Sequence, residues 1–371
     1  MRARGASEHD RRRCSPVSFR VRRCGDPNQH CPDDLIADGV QNAVVTANPE
    51  SSVSEPNYPV ELSPPDIAPY RAGNTGVEYV TTWDSGAAGP HVMVTALTHG
   101  NEICGAVALD RLFRAGLRPR RGRLTLAFDN VAAYHSFNPR YPVASRFVDE
   151  DFNRLWDEST LDGSRQSVEL ARARALRPFV ETADFLLDIH SMQHATAPLM
   201  LAGMLDRSVA LARKVGIPEI IMRDAGHAAG KRMRDYGPFG DPASPKTALL
   251  IEAGQHWQQR TAEVATDVML RFLVALGTIS REDAGPLSRA GFDAQPQQRV
   301  IEVTEAVTIT GDRFEFVGDF RGLEVLTPKG TLIGRDNGRE VRTPYDDCVL
   351  IMPSRRSGKG QTAVRLGRYV G

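Results

Sequence analysis

The chain is predicted to be an α/β protein with a mixed, largely parallel central sheet flanked by helices, followed by a small C-terminal all-β domain. Three observations predict this. Short apolar runs, V-M-V-T-A-L at residues 92–97 and A-L-L-I at 248–251 among them, lack the alternation of half-exposed strands and read as strands buried on both faces. Stretches with helical spacing separate these runs, which is the pattern of a sheet covered on both sides. After about residue 279 the helical periods stop, and short strands broken by Gly, Pro and Asp take over.

Composition narrows the function classes. A chain of 371 residues with 41% apolar content can bury a large core and suggests more than one domain. Lys plus Arg and Asp plus Glu number 46 each, so no overall field favours nucleic acid or an anionic membrane. No run approaches the roughly 18 to 20 apolar residues of a membrane span. Five cysteines do not make a disulfide framework in a chain of this length, and the cytoplasm is the expected location. A homo-oligomer stays open.

In chain order, residues 1–60 are rich in Arg, then in Asp, Asn, Pro and Ser, without sustained periodicity. They are expected to be a disordered extension. No apolar stretch of a secretory signal follows the basic start, and Cys14, Cys24 and Cys31 lack the spacing of a zinc knuckle. The α/β domain is expected over 61–283. Val77 to Trp83 alternates as a strand, residues 84–90 turn, and the strand at 92–97 follows. Asn101 is a plausible cap for a helix reaching about Gly116. Further strands are expected at 124–128, 185–189, 217–222 and 246–252, with an apolar segment at 198–201. Helices are expected at 164–182, 208–215 and 257–276. Residues 284–298 read as a linker and 299–371 as the β domain, a small sandwich or barrel.

The strand at 92–97 runs into T-H-G-N-E, which puts His99 and Glu102 at its carboxyl end, where open α/β sheets place their ligand sites. An imidazole and a carboxylate three residues apart across such a turn can converge on one zinc ion. Taken alone, H-x-x-E is a weak signal, more often a capping carboxylate beside a surface histidine. The strand F-L-L-D-I also ends in a histidine, His190, which supplies a third ligand and makes a metal site the better reading. Asp188, two residues earlier, shares its face and would orient a ligand histidine. Between the two strands lies R-F-V-D-E-D-F-N-R with Arg146, Asp149, Asp151, Asn153 and Arg154. An Asn-Arg pair suits a carboxylate, and Arg146 could polarise a scissile carbonyl. A solvated loop with an internal ion pair is the competing reading.

The blocks T-H-G-N-E, R-F-V-D-E-D-F-N-R, D-I-H-S and L-L-I-E-A-G, in this order, resemble the succinylglutamate desuccinylase/aspartoacylase family of the zinc carboxypeptidase clan. The resemblance implies a carboxypeptidase-like domain holding one zinc through His99, Glu102 and His190. It also implies Glu252 as general base and acid, Arg146 as oxyanion stabiliser, and Asn153 with Arg154 as the grip on a substrate α-carboxylate. The implied reaction is hydrolysis of an N-acyl amino acid, a small-molecule substrate. Glu252 ends an apolar strand, a setting that raises a carboxyl pKa toward values useful for proton transfer. The segment D-A-G-H-A-A-G-K-R-M-R-D-Y, with His227, Lys231, Arg234 and Tyr236, suits a substrate loop, and Arg234 and Tyr236 are taken as substrate contacts. A plain surface loop fits it equally. His135, His194 and His256 are not required as ligands. The alternatives are a metallocarboxypeptidase acting on small peptides and an inactive binding protein on the same fold.

Overall fold

The central sheet is laid down by strands buried at nearly every position, because helices cover both of its faces. The structure is a computed structural model that describes residues 58–371 apart from 227, 228 and 294. The expected disordered extension therefore lies, up to residue 57, outside the described residues. In chain order the strands are β1 (Val80–Asp84), β2 (His91–Ala96), β3 (Arg123–Phe128), β4 (Phe185–Met192), β5 (Leu199–Leu201), β6 (Ile220–Arg223) and β7 (Thr247–Gln255). They continue as β8 (Arg299–Thr308), β9 (Phe314–Phe316), β10 (Val325–Leu326), β11 (Leu332–Asp336), β12 (Arg339–Arg342), β13 (Cys348–Ile351) and β14 (Thr362–Val370).

One sheet of 11 strands has the order β1-β3-β2-β4-β7-β5-β6-β8-β14-β13-β10. Its middle is largely parallel, β3, β2, β4 and β7 running together, with β5 reversed against β7. Alternate residues of β2 feed different cores. Val92, Val94 and Ala96 pack under the helices Cys104–Arg114 and Gln259–Ala275, while Met93 meets the layer formed by the helix Val168–Thr182 and the Phe152–Trp156 segment. This is the expected mixed, largely parallel sheet between helices. No helix among the described residues is long and apolar enough to cross a membrane.

The C-terminal part is all-β, and its first strand, β8, pairs in parallel with β6. β14, β13 and β10 extend the main sheet, while β12, β11 and β9 form a separate antiparallel sheet. Ile333 and Phe316 of the small sheet pack on Leu350, Val364 and Leu366 of the large one. The expected sandwich thus exists, but one of its layers is the continuation of the α/β sheet. Where a linker is expected at 284–298, the chain first completes a short helix, Arg281–Ala284, capped by Ser280 and Asp283, and a single turn, Gly285–Leu287.

Candidate active site

The parallel strands β2, β4 and β7 end side by side, and the turn after β2 is shaped by close packing. Leu97 takes a left-handed φ of 66°. Gly100 donates its amide to the Arg146 carbonyl at 3.1 Å, and a Cβ on it would come within 2.5 Å of the Ser145 carbonyl oxygen. Only glycine lets the two loops meet here. The following helix starts at Cys104, with Ile103 at its N-cap and no side-chain cap. Asn101, the expected cap, instead accepts a hydrogen bond at its carbonyl from Trp257 Nε1 at 3.1 Å. The chain needs those extra residues to turn His99 and Glu102 inward, both nearly wholly buried.

His99 Nδ1 lies 2.7 Å from Glu102 Oε1, and His190 Nδ1 lies 3.0 Å from Glu102 Oε2. One donor atom from each of the three residues falls within 4.8 Å of the others, a spacing that a single metal ion could bridge. The remaining atoms fix the donors. Ser191 gives its amide to Glu102 Oε2 at 3.0 Å. His190 Nε2 sits 2.9 Å from Asp188 Oδ2, and Asp188 Oδ1 accepts from Thr98 Oγ1 at 2.8 Å. A carboxylate behind a histidine sets the ring orientation that a metal ligand needs. Burial alone would raise the Glu102 carboxyl, but His99 and His190 hold it well below its usual range. Burial would likewise lower His190, but Asp188 and Glu102 hold it well above.

The charged loop joins this group. Arg146 Nη2 is 2.9 Å from His99 Nε2 and 3.1 Å from Asp151 Oδ2, and its Nη1 is 3.4 Å from Glu102 Oε1. Asn153 is buried, its Oδ1 accepting from the Met233 amide at 3.0 Å and its Nδ2 3.5 Å from His190 Nε2. Arg154 donates to the Asn153 carbonyl at 2.7 Å, and burial lowers its pKa. The loop is held from behind by Glu169, which is fully buried. Its carboxylate accepts from the amides of Val148 at 2.6 Å, Asp149 at 3.0 Å and Glu150 at 3.3 Å, and from Asn130 Nδ2 at 2.9 Å. Asp149 returns a bond by accepting from the Val168 amide at 2.7 Å, capping the helix that carries Glu169.

Glu252 stands opposite His190 in the β4–β7 ladder. Burial pushes its carboxyl up to about 8, with Glu102 and Asp188 adding to the rise and His190 and Arg146 opposing it. Its Oε2 is buried without a hydrogen-bond partner. His256 faces the same cavity, 2.8 Å from Ser191 Oγ through Nδ1, and burial lowers its pKa to about 3.

One cavity of about 610 Å³ opens at these strand ends. His99, Glu102, His190, Glu252, Arg146, Asn153 and Arg154 are brought together there. Arg234 and Tyr236 are not, which corrects their expected place at the substrate. A single turn at Met233–Asp235 swings Arg234 under the sheet, where it donates to the carbonyls of Ala202 at 3.1 Å and Ala248 at 2.9 Å. Tyr236 packs on Trp156 and donates to Glu181 at 2.7 Å, outside the cavity. Lys231 lies outside it as well, and His227 falls outside the described residues. His135 contacts Tyr79 at 3.3 Å and serves the packing of that region. Three lining residues went unread in the sequence as contributors: His194 and His256, and above all Arg232, two places before Arg234 in R-M-R. Arg365 of β14 was missed altogether, because its strand was not read.

The fold and the donor set define an α/β protein with a candidate metal centre at the carboxyl edge of its parallel strands. A family model described as the succinylglutamate desuccinylase/aspartoacylase catalytic domain matches residues 88–276, more than half of the chain. Among curated relatives, a succinylglutamate desuccinylase of Pseudoalteromonas atlantica is 23% identical over 300 residues, covering 74% of this chain and 79% of that protein. A probable aspartoacylase of Parasynechococcus marenigrum is 30% identical over 221 residues, covering 57% and 66%. The crystal structure of succinylglutamate desuccinylase from Vibrio cholerae superposes with a TM-score of 0.58 at 19% identity, covering 78% of this chain and 85% of that one. The chain belongs to the succinylglutamate desuccinylase/aspartoacylase family.

Proposed function

We propose that the protein is a zinc-dependent amidohydrolase that removes the acyl group from an N-acyl amino acid. The observation that carries this reading is the meeting in one cavity of the His99, Glu102 and His190 donors with buried Glu252 and the Asn153-Arg154 pair. The names of the relatives, succinylglutamate desuccinylase and aspartoacylase, support the substrate class. His99, Glu102 and His190 would hold one zinc ion. When bound, it supplies Lewis-acid polarisation of the acyl carbonyl and acidifies water toward a pKa of roughly 7.

The chain's own residues do the rest. Glu252 takes a proton from the attacking water and delivers it to the leaving amine, a role suited to a carboxyl whose pKa lies near the working pH. Arg146 offers its guanidinium to the oxyanion of the tetrahedral intermediate. Arg154 and the Asn153 amide grip the α-carboxylate, which fixes the scissile amide beside Glu252. The products are a free carboxylate from the acyl group and a free amino acid.

The test is a panel of N-acyl amino acids offered to the zinc-loaded protein, with short peptides as controls. Release of free amino acid from the N-acyl compounds in preference to the peptides is expected. Faster cleavage of the peptides would make the protein a carboxypeptidase, and turnover of neither would end the hydrolase reading.

A further inference from the structure

Three neighbouring strands send polar side chains to one place behind His190. Asp129 follows β3, and its amide is tied to the Ala96 carbonyl of β2 at 2.8 Å. Thr95 and Thr98 belong to β2 and its turn, and Asp188 belongs to β4. All four are buried. The Thr98 hydroxyl stands between the two carboxylates, 2.8 Å from Asp188 Oδ1 and 3.1 Å from Asp129 Oδ2. Thr95 Oγ1 is 3.3 Å from the same Asp188 oxygen. With its other oxygen Asp188 faces His190 Nε2 at 2.9 Å. One chain of contacts thus leads from Asp129 to a candidate ligand.

The hydrogens in this chain do not suit two ionised carboxylates. A hydroxyl has one hydrogen, and the shorter contact commits that of Thr98 to Asp188. The Thr98 oxygen then turns a lone pair toward Asp129 Oδ2, an arrangement that holds only if Asp129 brings a hydrogen of its own. Asp129 Oδ1 is buried without a hydrogen-bond partner, a costly place for a full charge. The nearby cation, Arg172, is engaged elsewhere, giving Nε to the Asp129 carbonyl at 2.8 Å and Nη2 to the Phe128 carbonyl at 2.6 Å. Glu169, on the same helix, accepts from Asn130 Nδ2 and the loop amides. Where two carboxylates share a buried site, one of them keeps its proton. Burial pushes the Asp129 carboxyl well above its usual range, with Asp188 adding to the rise and Arg172, Thr98 and Thr95 opposing it.

We propose that Asp129 is a neutral carboxylic acid that donates to Thr98, so that Thr98 in turn donates to Asp188 and holds that carboxylate against His190. Asp129 is thus a positioning residue, which reaches the site only through Thr98 and Asp188. The protonation concerns the fold alone, whereas the effect on a metal rests on the zinc reading above.

Asparagine mimics a neutral aspartic acid, since it offers an N–H where the acid offers an O–H and cannot ionise. In the unfolded chain Asp129 ionises at about pH 4. Above that pH folded wild type holds a proton that the unfolded chain has released, and its folding constant falls about tenfold with each pH unit. Asp129→Asn should not share this fall. Its folding constant, from urea unfolding, should therefore gain about a hundredfold on wild type between pH 5 and 7, and parallel profiles overturn the neutral acid. Zinc affinity, read by competition with a chelator, locates the proton. Asp129→Asn should bind zinc as wild type does and Asp129→Ala about tenfold more weakly. Asp188→Asn, which removes the charge facing His190, should bind it about tenfold to a hundredfold more weakly. An Asp129→Asn variant as weak as Asp129→Ala overturns the positioning role, and undiminished affinity in Asp188→Asn puts the proton on Asp188 instead. If none of these proteins binds zinc, the ligand reading fails while the urea profiles still decide the proton. Should the variants not fold, carbon NMR of wild type with carboxyl-labelled aspartate decides. One aspartate should keep the signal of a protonated acid at pH 7, and ionisation of every aspartate there overturns the proposal.

Discussion

Replacing Glu169 with Gln tests how the charged loop is held, independently of any substrate. The side chain keeps its size, but one acceptor oxygen becomes a donor. Glu169 now accepts four hydrogen bonds, two on each oxygen. The bonds on Oε1, at 2.6 and 2.9 Å, are shorter than those on Oε2, at 3.0 and 3.3 Å, so the amide will settle with its oxygen toward Val148 and Asn130. The amides of Asp149 and Glu150 then face an NH2 group. Each lost bond costs about 1 kcal/mol, and up to about 3 kcal/mol if the donor stays buried and unpaired, so the pair costs at least about 2 kcal/mol. Local opening of the loop should become favoured by at least about thirtyfold. Hydrogen exchange reads this directly. The Asp149 and Glu150 amides should exchange at least about thirtyfold faster in Glu169→Gln, while the amides of Ile189 and Ile251 in the central strands stay as they were. Unchanged exchange at both loop amides in a folded variant would show that Glu169 does not hold the loop.

Other expectations follow from the same site. His190→Ala should lose its zinc in elemental analysis, and full zinc content in that variant would remove His190 from the ligand set. Glu252→Gln should keep the metal and lose about 10² to 10⁴ in kcat, the usual worth of general acid-base catalysis, and near-normal turnover would take Glu252 out of the mechanism. In chelator-treated protein the raised pKa of Glu252 means that the folded state keeps a proton that the unfolded chain releases near pH 4.5, so wild type loses stability as pH rises toward about 8. Glu252→Gln should not show that loss. Its urea midpoint should therefore gain on wild type between pH 5 and 8 by the equivalent of roughly 4 kcal/mol, and parallel pH profiles would contradict the buried-acid reading. Arg154→Lys should lose about tenfold to a hundredfold in kcat/KM, mostly through KM, and unchanged kinetics on free acids would refute the carboxylate grip.

The α/β part was legible because its strands are apolar runs and its candidate ligand residues stand at their ends, a position that topology makes meaningful. His99, Glu102 and His190 needed only that rule. Arg232 and Arg234 could not be told apart in R-M-R, since their fates depend on a single turn at Met233–Asp235 that sends one into the cavity and the other to the carbonyls of Ala202 and Ala248. The Asn101 cap failed because the helix starts two residues later than the turn residues suggest, with Ile103 at its N-cap. β14 was invisible for a related reason. In T-A-V-R-L-G-R-Y-V only Val364 and Leu366 show the apolar alternation, facing the small sheet, while the other face carries Arg365 and Gly367 in a strand that the sheet buries on both sides. A strand that turns charge inward reads as a loop.

The parallel pairing of β6 with β8 bears on how the protein can be cut. The family match stops at residue 276, which invites expression of the α/β part alone. Such a fragment would strip β8 from Ile220–Arg223 and leave a row of backbone N–H and C=O groups without partners. The strand so uncovered has Ile221 and Met222 in it, both buried in the whole protein, and has lost the Ile301 side chain that packs on it. An apolar, unpaired rim of this kind recruits other strands. The fragment should therefore self-associate edge to edge instead of settling as a smaller monomer, and the β8 segment supplied as a peptide should suppress that association by taking its own place in the ladder.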